Sequence, residues 1–375
     1  MILWLALIGT VLAIFVGGLL YISFRAARFP AVLRLARGKR SLARLLCLAC
    51  FSALTGLIWA VWNMMNAMIC LIHLTLFWIG CDLLLGILAK IRKKPAAPWL
   101  AGATAMLLCG AYLAAGWAAD HHVWTKEYVI ETPKLQREVR LVQITDAHIG
   151  ATFHGDGFLK HVERINDLQP DTVVLTGDFV DDDTSREDML SACKALGRLK
   201  APDGVYFAYG NHDKGYYSDG RRGWTAEELC SALQQNHVTV LEDEAVETTN
   251  GLWIVGRKDR SEEQRSGGRQ SAEALLSAVD RNGYIVILDH QPHDFDGEAA
   301  AGADLVLSGH THGGQFFPFN RVGQWLGENA LSYGHERRQG TDFIVSSGIS
   351  NWTFQFKTGC RSEIVLITLR PWSGG

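Results

Sequence analysis

Acidic residues are almost missing from the first third of this chain. Residues 1–119 hold eleven Lys and Arg but a single acid, Asp82, whereas all 375 residues together carry 36 basic and 39 acidic side chains. The net charge of −3 therefore averages two different materials, a basic apolar segment and an acidic remainder. An acidic folded part repels phosphate backbones, which argues against a nucleic-acid binder. Cysteine is sparse where it could act. Cys47, Cys50, Cys70, Cys81 and Cys109 lie in the apolar third, where cysteine behaves as a small hydrophobe. Cys193, Cys230 and Cys360 are scattered with no Cys-x-x-Cys, so neither a disulfide framework nor a zinc ribbon is encoded. No internal repeat and no low-complexity block stands out.

Long apolar runs fill the acid-poor third and exclude a fully soluble protein. Ile2–Ser23 is uncharged and long enough to cross a bilayer core of ~30 Å. No positive residue precedes it and no small-residue cleavage site follows, so it does not read as a signal peptide. The run from Leu45 to Ala89 is apolar except for Asp82 and about twice the length of one span, so it must fold back, with Asn63–Asn66 as the natural hairpin. Four transmembrane helices are expected at about 2–23, 45–62, 68–89 and 99–119, with a stalk over 120–136 and a folded domain over 137–375. Seven basic residues cluster between spans one and two and four between spans three and four. The positive-inside rule places both loops in the cytoplasm, and the folded domain on the extracytoplasmic side of the cell membrane. Asp82 and His73 sit near span ends, where snorkelling or pairing is the ordinary reading. One intramembrane acid and no repeat speak against a transporter.

Beyond residue 127 short β-branched runs end in polar, Gly-rich turns and alternate with helical segments at 157–168, 186–199, 226–236 and 271–280. That pattern predicts an α/β layered fold with its ligands beyond the carboxyl ends of the strands. Five strand ends carry metal-binding residue types: Asp146 and His148; Asp178; Asn211 and His212; His290; His310 and His312. Alternation along an extended chain sends residues i and i+2 the same way, so Asp146 can share an ion with His148, and His310 with His312. A mixed set of imidazole nitrogens and carboxylate or amide oxygens suits Mn, Fe, Zn or Co better than Ca. A single Asp-x-His or loop histidine is ordinarily a hydrogen-bonded core residue. Five such groups, each at a strand end, make a metal site.

Together, Asp146-x-His148, Gly177-Asp178, Gly210-Asn211-His212-Asp213, His290 and Gly309-His310-Thr311-His312 resemble the five blocks of the calcineurin-like metallophosphoesterase superfamily. Leu288–Pro292, Gly309–Gln315, Ser346-Ser347-Gly348 and Gly359-Cys360-x-x-Glu363-Ile364 are similar to its bacterial membrane-anchored, YkuE-like branch. The resemblance covers about residues 137–370. It implies a four-layer α/β/β/α sandwich, here preceded by the four-helix transmembrane region, with two divalent (or mixed-valence) metal ions between the sheets. By that likeness Asp146, His148 and His312 hold one ion, Asn211, His290 and His310 the other, and Asp178 bridges them. The implied activity is hydrolysis of a phosphomonoester, phosphodiester or pyrophosphate by a metal-bridging hydroxide. A tether to the lipid bilayer makes a lipid-linked or envelope phosphate a reasonable substrate. His212 should stand beside the leaving group, and Asp213 should orient its ring. Asp181 should lie just behind the ligands, while Asp182, Asp183 and Glu187 read as a solvated acidic face. Arg257, Arg260 and Arg265 read either as a clamp for a distal phosphate or as a solvated loop; His154 and His293 have no evident role. The alternative is a catalytically weak metal-binding sensor coupled to the membrane helices.

Overall fold

The structure is a computed structural model. It describes residues 2–218, 222–265 and 267–372, with side chains from residue 9 onward except that of Gln264. The chain divides into two compact units, Met1–Gly116 and Trp117–Gly375.

The first unit is helical: α1 (Ile2–Ala26), α2 (Pro30–Leu35), α3 (Arg40–Val61), α4 (Met64–Arg92) and most of α5 (Leu100–His121). All but α2 are long and apolar enough to cross a membrane. Small residues let these helices approach closely. Gly102 lies against Trp78, which is 1% exposed, and a Cβ there would collide with the rings of Trp78 and Phe29. The hairpin is tighter than the sequence predicts. Only Trp62 and Asn63 separate α3 from α4, because the Asn63 side chain accepts the Asn66 amide at 2.8 Å and caps α4. Met64, Met65 and Asn66 thus belong to the helix. Asp82 accepts from Arg25 and Tyr21, and His73 Nδ1 lies 2.8 Å from the Ile69 carbonyl.

Among the described residues the second unit carries twelve strands. The first sheet has the order β1 (Val123–Thr132), β12 (Ser362–Pro371), β2 (Val139–Ile144), β3 (Thr172–Thr176), β4 (Val205–Ala208), β5 (Val238–Val240). The second has β10 (Gly334–Arg338), β11 (Thr341–Val345), β9 (Leu305–Ser308), β8 (Tyr284–Leu288), β7 (Leu252–Gly256), β6 (Glu244–Glu247). Strands β2–β5 run parallel, as do β7, β8, β9 and β11.

Alternation along these strands produces four layers. Val142, Ile144, Val173, Leu175 and Phe207 face the helices α6 (Gly155–Asp167), α7 (Arg186–Leu196) and α8 (Ala226–Gln235). Their neighbours Leu141, Val174 and Tyr206 face Ile254, Val286, Leu288, Leu307 and Ile344 of the other sheet. On that sheet's far side Ile285, Ile287, Val306 and Phe343 pack on α9 (Ala272–Leu275) and α10 (Phe295–Ala301). Each fully buried side chain of this size contributes about 1.5–3 kcal/mol. Strands buried on both faces read as largely apolar runs, which is why β2, β3, β4, β8 and β9 are legible in the sequence.

The expected stalk is different. Residues 123–132 form β1, which pairs in parallel with β12 along its whole length and so edges the first sheet. β6 and β10 are also edges, and their Glu244, Glu247, Glu336, Arg337 and Arg338 conceal them from a search for apolar runs while blocking further pairing. The helix expected over 271–280 shrinks to α9, four residues capped by Ser271.

One buried group gives a test of stability. His161 on α6 is 6% exposed, its Nε2 has no partner, and its ring lies 4.9 Å from that of Phe153. Burial, aided by Lys160 and Arg164, lowers its imidazole from 6.5 to about 4. The neutral form is the one the fold accepts. Its contribution is therefore complete above pH 6.5 and is lost as pH falls from there through 4. His161→Leu should remove about 3 kcal/mol of the acid-induced loss at pH 4, seen as a smaller drop in melting temperature between pH 7 and pH 4. Equal drops in variant and wild type would contradict it.

Candidate metal centre

The carboxyl ends of β2, β3 and β4 in one sheet and of β8 and β9 in the other meet at one place. Asp146 and His148 follow β2, Asp178 follows β3, Asn211 and His212 follow β4, His290 follows β8, and His310 and His312 follow β9. The turns holding them are not extended. Asp146 (φ 51°), His148 (φ 37°), Asp178 (φ 50°), His310 (φ 67°) and His312 (φ 47°) are all left-handed. Each such residue costs roughly 1–3 kcal/mol and persists only where its surroundings enforce it. Two glycines make room. A Cβ on Gly210 would strike the Asp178 carboxylate, and one on Gly309 would strike Thr145 and Asp146.

Among the described residues three groups of side chains result. Asp146, His148 and His312 form one, Asp178, His290 and His310 a second, and Asp181, Asp182 and His212 a third; within each, ligand atoms lie within 4.8 Å of one another, and the first two consist of expected ligands. His310 and His312 therefore do not share a group, contrary to simple alternation, because left-handed turns replace the pleat. Asp178 Oδ2 lies 3.1 Å from His290 Nε2 and 3.7 Å from His148 Nε2, between the two groups.

The donor atoms are buried and poorly satisfied. His148 Nδ1 and Nε2, His290 Nε2, His312 Nδ1 and Asn211 Oδ1 make no well-aligned hydrogen bond, although carboxylate oxygens of Asp181 and Asp178 stand 3.3 Å from His148 Nδ1 and 3.1 Å from His290 Nε2. An orphaned buried polar atom costs about 1–3 kcal/mol, so several at one point require something to compensate them. Nitrogen and oxygen donors so placed fit a divalent transition metal. Surrounding contacts aim them. His290 Nδ1 faces the Thr176 carbonyl at 2.8 Å, so Nδ1 donates there and Nε2 is turned toward Asp178, the side on which a metal would take it in place of a proton. Asp146 accepts the Thr145 hydroxyl at 2.8 Å and the His310 amide at 3.0 Å, tying the sheets together. Burial lowers His310 to about 4 and His312 far below its ordinary value, keeping both neutral and able to ligate. Burial works to raise the Asp178 carboxyl, but His290, His148 and His212 outweigh it and keep Asp178 ionised.

His212 and Asp213 depart from expectation. The Asp213 carboxylate does not reach the His212 ring. It is fully buried and accepts three backbone amides, those of Gly210 (2.7 Å), Asp178 (2.8 Å) and Val180 (3.1 Å), so it clamps the β3 and β4 turns together. The partners of His212 Nδ1 are Asp182 at 2.6 Å and Asp181 at 3.3 Å. Asp182, expected on a solvated face, is 9% exposed; nothing in its Asp-Asp-Asp run marks it as turned inward. Burial would lower His212, but the Asp181 and Asp182 carboxylates win and raise it to about 11.

Other expected residues serve the frame. Arg257 is 4% exposed and paired with Asp289, Asp294 and Glu298, so it is no phosphate clamp: those three acids consume its charge. Glu363 accepts from Tyr333 (2.7 Å), Ser346 (3.1 Å) and the Ser347 amide (3.3 Å), while Cys360 Sγ donates to the His312 carbonyl, so the closing motif supports the ligand loops. Sequence reasoning overlooked Arg222. It is 6% exposed, donates to the His212 carbonyl at 3.2 Å, and its Nε and Nη2 are buried without partners. It lines a cleft of about 910 Å³ together with Lys214, Tyr216, Trp224, Lys258 and Arg265.

Two sheets delivering a carboxylate-linked pair of His/Asp groups define a metal-dependent hydrolase architecture, and the comparisons agree. The family model for calcineurin-like phosphoesterases matches residues 139–314. The chain is 32% identical over 251 residues to an uncharacterized metallophosphoesterase of Aquifex aeolicus, covering 65% of this chain and 91% of that one. It is 33% identical over 249 residues to a zebrafish (Danio rerio) transmembrane protein with a metallophosphoesterase domain, covering 64% of this chain and 55% of that one. It is 26% identical to the uncharacterized metallophosphoesterase YkuE of Bacillus subtilis, covering 75% of this chain and 99% of that one. The chain belongs to the calcineurin-like metallophosphoesterases. The match spans little more than half of the zebrafish relative and 64% of a Helicobacter pylori one. Family membership and the clustered ligands together imply divalent metal ions.

Proposed function

We propose that this chain is a membrane-anchored binuclear phosphoesterase. The observation that carries the reading is the position of Asp178 between two groups of buried donors, several of which make no aligned hydrogen bond. Asp146, His148 and His312 would hold one ion, Asn211, His290 and His310 the other, and Asp178 both; Mn, Fe and Zn suit the donors. A bound metal pair supplies charge neutralisation for the phosphoryl oxygens and an activated water. The remaining work falls to the chain. The Gly210 and Gly309 turns let the backbone come close to the Asp178 and Asp146 carboxylates, which fixes those ligands in place. The protonated His212, held by Asp181 and Asp182, donates its proton to the departing oxygen. The Lys214–Arg222 side of the cleft, next to His212, receives the leaving group.

The free Nε and Nη2 of Arg222 suit an anionic group on that leaving portion, as in a pyrophosphate, a phosphodiester or a lipid-linked phosphate. Arg222→Leu should raise KM about tenfold for substrates bearing a second anionic group and leave KM for a simple aryl phosphate unchanged. A uniform fall in kcat for both would assign Arg222 to His212 positioning instead. The basic loops 25–44 and 90–94 would face the cytoplasm and the hydrolase unit the outside.

The test is direct. The full-length protein in detergent, loaded with Mn²⁺, is assayed against a panel of aryl phosphate, phosphodiester and pyrophosphate, before and after chelation. Turnover that disappears with the metal and returns on its restoration supports the reading. Undiminished turnover in metal-stripped protein refutes it. Proteolysis of intact spheroplasts should cut the hydrolase unit from outside.

A further inference from the structure

The helical unit contains a pocket that the phosphoesterase reading does not use. It has a volume of about 580 Å³ and is lined by Arg25, Arg28, Arg40 and Arg44, with Phe24 and Leu33 among its apolar walls. Arg25 closes α1, Arg28 follows it, and Arg40 and Arg44 lie one turn apart at the start of α3. These positions are the ends of membrane spans, so the pocket opens at the level of the headgroups.

Charge arithmetic makes the pocket unusual. Met1–Gly116 holds one carboxylate, Asp82, and it is taken by Arg25 and Tyr21. The unit has no second acid for Arg28, Arg40 and Arg44, which are all exposed. The Arg44 guanidinium lies 5.4 Å from the centre of the Phe24 ring, a weak substitute for a counter-ion. The start of α3 adds to the demand. Its N-cap residue, Lys39, makes no side-chain cap bond, and its first turn contains no acid. A 22-residue helix therefore presents the positive end of its dipole and its uncapped amides near three uncompensated guanidinium groups.

The geometry points to a binding site for the phosphate of an anionic phospholipid in this pocket. Guanidinium groups match phosphate oxygens in pairs, and the apolar walls accommodate the lipid below its headgroup. Basic pockets between transmembrane helices are where such headgroups are held. The ligand anchors α1 to α3 by supplying the negative charge that the sequence withholds. None of the metal-centre residues lines it: every lining residue lies between 24 and 98, in the helical unit.

Native mass spectrometry of the full-length protein, titrated with phosphatidylglycerol or phosphatidylcholine, tests this. Wild type should retain phosphatidylglycerol in preference to phosphatidylcholine. The triple variant Arg28→Gln/Arg40→Gln/Arg44→Gln should bind phosphatidylglycerol roughly 100-fold more weakly. Arg25 is left in place so that the Asp82 pair survives. A control, Lys90→Gln/Lys93→Gln/Lys94→Gln, removes three charges from the other basic loop and should retain the lipid. Equal loss in both variants would reduce the effect to general surface charge and overturn the site. Loss of the phosphatidylglycerol preference in wild type would do the same. Displacement of the lipid by millimolar inorganic phosphate would assign the pocket to a soluble anion and overturn the lipid assignment. Melting curves in lipid-free detergent check that the triple variant folds.

Discussion

On the proposed binuclear reading, Asp178→Asn should abolish turnover, by about 10³-fold or more, and lower the number of metal ions bound per chain relative to wild type. The substitution keeps the shape of the side chain. Oδ1 can still accept the His212 amide, now at 2.9 Å, so the β3 and β4 turns remain joined. What disappears is the negative charge. Asp178 is the carboxylate that stands nearest His290 Nε2 and also faces His148 Nε2, and it raises the basicity of both rings. Without it, the proposed ligand set keeps a single carboxylate, Asp146, and no negative charge stands between the two groups to offset the repulsion of two cations. Metal analysis alongside kinetics and a melting curve decides the matter. A folded variant that keeps both ions and turns over normally would remove the central premise of the proposed mechanism.

His212→Ala is the complementary experiment, because it should spare the metals and still slow the reaction. A general acid contributes about 10²–10⁴-fold, and the loss should be largest for poor leaving groups such as alkyl phosphates and smallest for nitrophenyl esters. The pH profile separates proton donation from mere positioning. In the wild type Asp181 and Asp182 raise the imidazole to about 11, so it stays protonated across the neutral range. Asp182→Asn withdraws one of those carboxylates and lowers that value. The fall in kcat with rising pH should therefore begin at lower pH in this variant than in wild type. Identical profiles, or a fall in kcat independent of the leaving group, would leave His212 with a structural role only.

The separation between what one dimension reveals and what it conceals follows physical lines. The central strands β2, β3, β4, β8 and β9 are buried on both faces, so β3, β4, β8 and β9 are short apolar runs and β2 is one interrupted only by Arg140 and Gln143, each ending in a polar turn. Such a signal survives in sequence because it depends on neighbours along the chain. The edges β1, β6 and β10 are hidden because an edge strand is specified by its partner, and its polar alternation looks like a loop until that partner is found.

The same division holds at the metal centre. Residue type and spacing alone supply the chemistry of Asp146, His148, Asp178, Asn211, His212, His290, His310 and His312, and the span lengths and lone acid of the membrane segment. Which residues stand together is another matter. The family likeness already pairs His312 with Asp146 against simple alternation, but the use of Asp213 as a clamp on three amides, the inward turn of Asp182 and the burial of Arg222 arise only from left-handed turns and from two sheets converging. Those depend on contacts between residues far apart along the chain, and only folding brings such residues within reach of one another.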